Sequence, residues 1–172
     1  MPEHHRVFFA LWPPADLAGR LHALGCGQGG RATRAEDLHL TLAFLGEQSE
    51  AGLERLRAIA SRLSLPRCEI LIDRLGYWRH NRILWAGPNE LPPALQDFVE
   101  SLHAALREAG FKLDEREFAA HVTLQRNASG LPADGAFEPL AWPVERWCLA
   151  ESRPDETGRR YLELSSWPAA SA

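Results

Sequence analysis

Lysine is nearly absent from this chain: of nineteen basic residues, only Lys112 is not arginine. Against them stand twenty-three acidic residues, and the net charge of −4 argues against a polycationic nucleic-acid coat. Coding composition accounts for such a bias, yet the planar guanidinium also suits phosphate, so local arginine clusters are worth following. Cysteine is scarce too. Cys26, Cys68 and Cys148 are widely spaced and form no CxxC pair. That excludes a zinc ribbon, argues against a disulfide framework, and fits three small apolar fillers in a reducing cytoplasm. No apolar run approaches the roughly 18–20 residues of a membrane span. Met1 to Arg6 is followed only by the short run Val7–Trp12, so a secretory leader is not expected. No low-complexity tract or long linker divides the chain.

What is present is ordinary globular composition. Hydrophobic residues make up 45 % and charged residues 24 % of 172 residues, which suits one domain, 1–172, with enough core to fold unaided. Val7–Trp12 is apolar and stopped by Pro13-Pro14, which predicts a buried strand. Ala15–Leu24 has Leu17, Leu21 and Leu24 at helical spacing before Gly25. A Gly- and Arg-rich loop reaches Glu36. Leu38–Leu45 predicts a strand, and Glu50–Leu63 an amphipathic helix. Cys68–Leu75 and Arg82–Ala86 predict a hairpin with a long loop. Pro92 opens a helix that Gly110 closes. Ala120–Gln125 predicts a strand, and Val144–Ala150 with Tyr161–Ser165 a last hairpin. The sum is an α+β fold with a largely antiparallel sheet.

Two short strings repeat within this order. His39-Leu40-Thr41-Leu42 and His121-Val122-Thr123-Leu124 lie 82 residues apart, close to half the chain, and each opens a strand after a helix. That spacing suits two similar lobes contributing one strand each. Side chains alternate along a strand, so His39 and Thr41 share one face while Leu40, Leu42 and Phe44 take the other. His121 and Thr123 repeat the pattern. A lone strand histidine is ordinarily solvated or hydrogen-bonded. Here two of the chain's four threonines each follow a histidine by two residues, which points to a shared site.

Neither histidine has an Asp, Glu or Cys beside it on its strand, so the pair makes a poor metal site. No G-x-S-x-G elbow supports a serine nucleophile. General acid–base chemistry fits better: one neutral imidazole takes a proton, and the other, protonated, gives one to a leaving oxygen. Threonine hydroxyls beside them can donate to anionic oxygens, the set a phosphodiester reaction needs.

The paired HxTL strings resemble the 2H phosphoesterases. The flanking segments Arg6–Leu11, Leu38–Glu47, Arg82–Trp85 and Phe118–Arg126 are similar to the RNA 2′,3′-cyclic phosphodiesterase branch, also called LigT-like or 2′-5′ RNA ligase. Ser152, Gly158 and Tyr161 match more weakly. The resemblance spans roughly residues 6–165. It implies a bilobal fold, a duplicated β-α-β-α-β unit with two largely antiparallel sheets around a central cleft. It also implies metal-independent opening of a 2′,3′-cyclic phosphate to a 2′-phosphomonoester, without a cofactor. By residue it assigns the proton donor to His39, the acceptor to His121, phosphate binding to Thr41 and Thr123, and a further contact to Arg126. Ala120 departs from the branch's common proline, and Ala32 from a frequent aromatic.

Phe8 and Phe9 on the first strand are candidates to stack on a base, one of them facing the site. Arg126 breaks the His121/Thr123 parity and reaches the site only if the strand twists or ends there. Arg31, Arg34, Arg79, Arg82, Arg159 and Arg160 could form a positive rim. His22, His80 and His103 read as surface residues, and Trp78 as the exposed member of a mostly buried tryptophan set. The expected partners are RNA ends bearing a 2′,3′-cyclic phosphate, or nucleotides, bound by a cytoplasmic monomer with no membrane attachment. The alternatives are a phosphodiesterase for small cyclic or 2′-5′ linked nucleotides, reverse 2′-5′ joining on the same groups, and a non-catalytic RNA-end or nucleotide-binding module.

Overall fold

The computed structural model describes residues 3–171. Ten strands and three helices follow one another in it. The first half holds β1 (His5–Leu11), α1 (Ala15–Leu24), the two-residue β2 (Arg31–Ala32), β3 (Leu40–Gln48), α2 (Glu50–Ala60) and β4 (Cys68–Ile72). The second holds β5 (Arg74–Trp78), β6 (Ile83–Gly87), α3 (Pro93–Glu108), β7 (Val122–Arg126), β8 (Leu140–Val144), β9 (Arg146–Asp155) and β10 (Gly158–Pro168). Seven strands form the path β10-β9-β1-β3-β7-β6-β5, and β2 pairs β7. A separate two-stranded sheet joins β4 to β8.

The path reads almost the same from either end, which is the duplication announced by the repeated HxTL. β1 and β3 are antiparallel neighbours bridged by α1, as β6 and β7 are by α3. β9 flanks the first pair and β5 the second. Of the two motif strands, β3 meets β7 through a single pair of positions, Leu40 opposite Val122. These are the second residues of the two motifs. On that antiparallel register His39 comes opposite Thr123, and Thr41 opposite His121. The halves then end differently: α2 follows β3, whereas residues 127–139 after β7 contain no helix or strand.

Helical periodicity and caps decide where the helices stand. Leu53, Leu56, Ile59 and Ala60 are the buried face of α2, whose N-cap Ser49 accepts from the Gly52 N–H at 3.2 Å. α3 starts at Pro93, where a missing N–H costs nothing, and buries Leu95, Phe98, Val99, Leu102 and Leu106. These side chains share one apolar core with Phe9, Leu40, Leu42, Val122, Leu124 and the inner residues of β4 and β8. Full burial of each such side chain stabilises the fold by about 1.5–3 kcal/mol. The opposite face of the long sheet carries the motif histidines and threonines.

Several elements differ from the sequence expectation. The strand expected over Cys68–Leu75 divides at Asp73: its first part pairs β8, and only Arg74–Trp78 enters the hairpin with β6. β8 falls in a stretch whose glycines and prolines suggest a loop; Pro143 is tolerated because this two-stranded sheet leaves its outer edge unpaired. The last hairpin is longer than its apolar pattern, since exposed Arg159 and Arg160 extend β10. No described helix is long and apolar enough to cross a membrane.

Candidate active site

Each motif histidine sits one residue ahead of its strand and turns back on its own chain. His39 Nδ1–H donates to the Asp37 carbonyl at 2.7 Å, and His121 Nδ1–H to the Ala119 carbonyl at 2.8 Å. A carbonyl can only accept, so both rings are fixed as the Nδ1–H tautomer. Nε2 is left to the cleft, as a lone pair when the ring is neutral and as an N–H when it is charged. The carbonyl behind His39 is itself held. Asp37 is buried in a 3-10 turn over Ala35–Asp37, and its carboxylate takes the Arg34 Nε–H at 2.8 Å. Trp12 Nε1–H donates to the neighbouring Glu36 carbonyl.

Aromatic rings wall both imidazoles. Trp12 stacks on His39 with centroids 4.8 Å apart, Tyr161 meets it edge-on at 4.7 Å, and Phe8 lies 4.9 Å away. Trp78 stands edge-on to His121 at 4.6 Å, with Trp85 behind it at 6.4 Å. Burial among these rings pushes His39 from the ordinary 6.5 down to about 4; the Arg126 guanidinium and His121 add to the fall, and the bond to Asp37 opposes it. His121 is lowered for the same first reason, burial, with Arg126 adding to it. At neutral pH both rings of the free site are therefore uncharged.

One irregularity occurs at the same place in each motif. The register of β3 against β1 slips between Ala43 and Thr41, so Leu42 is an extra, bulged residue. The register of β7 against β6 slips between Gln125 and Thr123, so Leu124 is bulged. Past each bulge the alternation reverses. Phe44, expected on the core face, is 42 % exposed and lines the cleft beneath the Arg6 guanidinium, 4.9 Å from its ring centroid. Arg126, expected out of parity, lines the cleft with His121 and Thr123, while Gln125 is buried. Both freed carbonyls are satisfied: Leu42 O accepts from His103 Nε2–H at 2.7 Å, and Leu124 O from the Thr33 N–H at 2.8 Å.

The cleft has a volume of about 1100 Å³. It gathers His39, Thr41, His121, Thr123 and Arg126, as the sequence predicted, and Phe8 at its wall. Phe8 is only 3 % exposed and packs against Ala10, Cys148 and Ala150, so it supports His39 rather than offering a free stacking face. Phe9 is corrected outright. It points into the core against Trp147 and Trp167, because adjacent strand residues face opposite ways. Of the proposed rim, Arg31, Arg34 and Arg159 line the cleft and Arg79, Arg82 and Arg160 do not. Three histidines read as surface residues do more. His80 lines the cleft, His103 holds the first bulge, and His22 Nδ1–H donates to the Thr33 carbonyl at 2.8 Å.

Sequence reasoning missed Trp12, Tyr161 and Trp85 as the walls of the histidines, and Asp37 as the anchor beneath one. Tyr161 left a signal in its weak family match, and Asp37 one as an acid two residues before a motif histidine. Among the described residues, the group of three or more side chains with metal-ligand chemistry is Glu3, His5 and Glu50, and neither motif histidine belongs to it.

Comparison with known proteins places this geometry. Residues 13–156 match the model of the 2′-5′ RNA ligase superfamily. The RNA 2′,3′-cyclic phosphodiesterase of Escherichia coli strain K12 is 34 % identical over 174 aligned residues, covering 97 % of this chain and 98 % of that one. The crystal structure of a phosphoesterase superposes with a TM-score of 0.88 at 29 % identity, over 98 % of this chain and all of the other. E. coli LigT complexed with 3′-AMP gives 0.86 at 29 % identity, with the same coverage.

Proposed function

The chain belongs to the 2′-5′ RNA ligase superfamily, and from that premise we propose that it hydrolyses 2′,3′-cyclic phosphate ends of RNA to 2′-phosphomonoesters by two-histidine acid–base catalysis. Water attacks phosphorus in line with O3′. One imidazole takes the water's proton on Nε2, the P–O3′ bond breaks, and the other imidazole delivers its Nε2 proton to O3′. The phosphate remains on O2′. Thr41 and Thr123 donate to the non-bridging oxygens, and Arg126 offsets the charge gathered there.

The observation that carries this reading is the matched setting of the two rings. Each is locked by its Nδ1–H onto the carbonyl two residues upstream, so two Nε2 atoms from pseudo-equivalent positions meet one cleft beside two hydroxyls. An imidazole pair needs no metal for these steps. The family likeness gives the donor role to His39. That role requires the bound phosphate's negative charge to lift His39 from about 4 into the working range. The reading treats the protein as one bilobal unit acting as a monomer. Three free cysteines suit a reducing cytoplasm.

The test is incubation with an oligonucleotide ending in a 2′,3′-cyclic phosphate, with and without EDTA. The expected product is the 2′-phosphate, formed at the same rate in both. A 3′-phosphate product, or loss of turnover in EDTA restored by a divalent ion, overturns the mechanism. Binding without turnover favours the RNA-end module.

A further inference from the structure

Arg31 stands directly opposite Arg126 in the β2–β7 ladder. Like charges in such a pair repel, and the sequence has brought them closer than most side chains would allow. A Cβ on the preceding residue, Gly30, would lie 2.3 Å from the Arg126 carbonyl oxygen, so only glycine permits this approach. Both side chains line the cleft. The Arg31 guanidinium lies against the turn between β9 and β10, with Nη1 3.2 Å from where a Cβ on Gly158 would be. Arg159 follows in that turn, lines the cleft, and is steadied by its Nη1–H donating to Ser152 Oγ at 3.1 Å.

Among the described residues no carboxylate pairs with Arg31, Arg126 or Arg159. Asp37 is taken by Arg34, Asp155 by Arg34, Arg160 and Thr157, and Asp114 by Arg116, while Glu117 on the cleft wall pairs with none of the three. Three arginines thus converge on cleft space with their charge uncompensated. The site is also set apart from the reacting centre. Arg126 is three residues beyond Thr123 but, with Leu124 bulged, only two positions further in the register, roughly 7 Å along the strand, and Arg31 stands beside it on β2. That displacement is about one nucleoside.

Resting on the functional reading above, we infer that Arg31 and Arg159, with Arg126 between them and the reacting centre, form a second phosphate subsite. It takes the 5′-phosphodiester of the terminal nucleotide while the cyclic phosphate lies between the histidines. The substrate class is therefore RNA ends of two or more nucleotides in preference to cyclic mononucleotides. A charge-assisted bond to phosphate is worth about 1.5–3 kcal/mol, so the extra phosphate raises kcat/KM about ten- to a hundredfold.

The experiment compares three substrates: a nucleoside 2′,3′-cyclic phosphate, the same compound with a 5′-phosphate, and a dinucleotide ending in the cyclic phosphate. In the wild type the dinucleotide exceeds the bare nucleoside by at least tenfold in kcat/KM. In the Arg31→Gln/Arg159→Gln variant that ratio falls toward one. A wild-type ratio near one, or a ratio that survives in the variant, overturns the subsite and leaves the reaction standing. The 5′-phosphorylated mononucleotide separates any terminal phosphate from an internucleotide one: an advantage equal to the dinucleotide's assigns the subsite to phosphate alone and overturns the preference for longer RNA. Titration with adenosine 3′,5′-bisphosphate and with 3′-AMP reads the subsite without turnover. The bisphosphate binds at least tenfold more tightly to the wild type and loses that margin in the variant; equal affinities overturn it. Turnover of none of the three substrates counts against the proposed reaction, and the titration then still decides the subsite.

Discussion

His39 and His121 have the same tautomer and the same upstream carbonyl bond, and they differ in how far burial moves them. Both are lowered, His39 to about 4. A reaction that needs one ring protonated is limited on its alkaline side by the acid's pKa in the free protein when kcat/KM is measured. The alkaline limb of kcat/KM is therefore expected below 6.5, moving the maximum to the acid side of neutrality. The kcat profile, which reports the complex, extends to higher pH because the bound phosphate favours both charged rings. Arg126 lowers both histidines, so Arg126→Gln shifts the kcat/KM limb upward while weakening phosphate binding. Profiles of kcat and kcat/KM for the two proteins check this; coincident bells centred at neutrality contradict it.

At the scale of the element, the bulges at Leu42 and Leu124 decide what the cleft contains. Each reverses the strand parity, giving the cleft Phe44 from one half and Arg126 from the other. His103 holds the first bulge by its bond to the Leu42 carbonyl. His103→Leu leaves that carbonyl unpaired, at a cost of about 1–3 kcal/mol, and loosens Thr41 beside it. The expected outcome is a lower urea midpoint together with a reduced kcat, and a variant of full stability and full turnover contradicts the role. The four motif residues were legible in the sequence because H-x-T-L states both the chemistry and the period of two. The bulges were not, since alternation read along one strand contains no sign of what its neighbour's register will be. Phe44 was misread for that reason. Phe9 was mistaken for a base-stacking candidate because either parity of an apolar strand looks alike before a partner sheet is known. The aromatic walls of the histidines come from β1, β5, β6 and β10, far apart in sequence, and only the strand order brings them to one place.

Across the whole molecule, groups of opposite sign set the pH dependence of stability. His39 and His121 have folded pKa values below the unfolded 6.5, so the unfolded chain binds more protons as pH falls below 6.5, and stability is lost down to the folded value. For His39, held at about 4, this loss reaches at most about 3 kcal/mol. His5 works the other way. Hydrogen bonds to Glu151 at 2.9 Å and Glu50 at 2.8 Å raise it, Glu151 first, against burial. Its contribution is complete below 6.5 and is lost as pH rises through the raised value. Urea denaturation separates the two. His39→Asn gains stability relative to the wild type between pH 7.5 and 4.5, and His5→Gln loses more at pH 6 than at pH 8.5. The opposite trend in either variant contradicts the assigned shift. The two-lobed α+β organisation was legible from the repeat at 82 residues. What the repeat left open was how the halves join. Leu40 and Val122 are ordinary apolar residues whose pairing only the folded register reveals.

The central claim, that one cleft works by two histidines acting as a unit, is tested most directly by kcat on a cyclic-phosphate dinucleotide for His39→Ala, His121→Ala and the double variant. Each single substitution is expected to lower kcat by about 10²–10⁴, with the double variant little worse than the poorer single. Turnover near the wild-type value in either single variant, in a protein whose urea midpoint shows it folded, contradicts the claim.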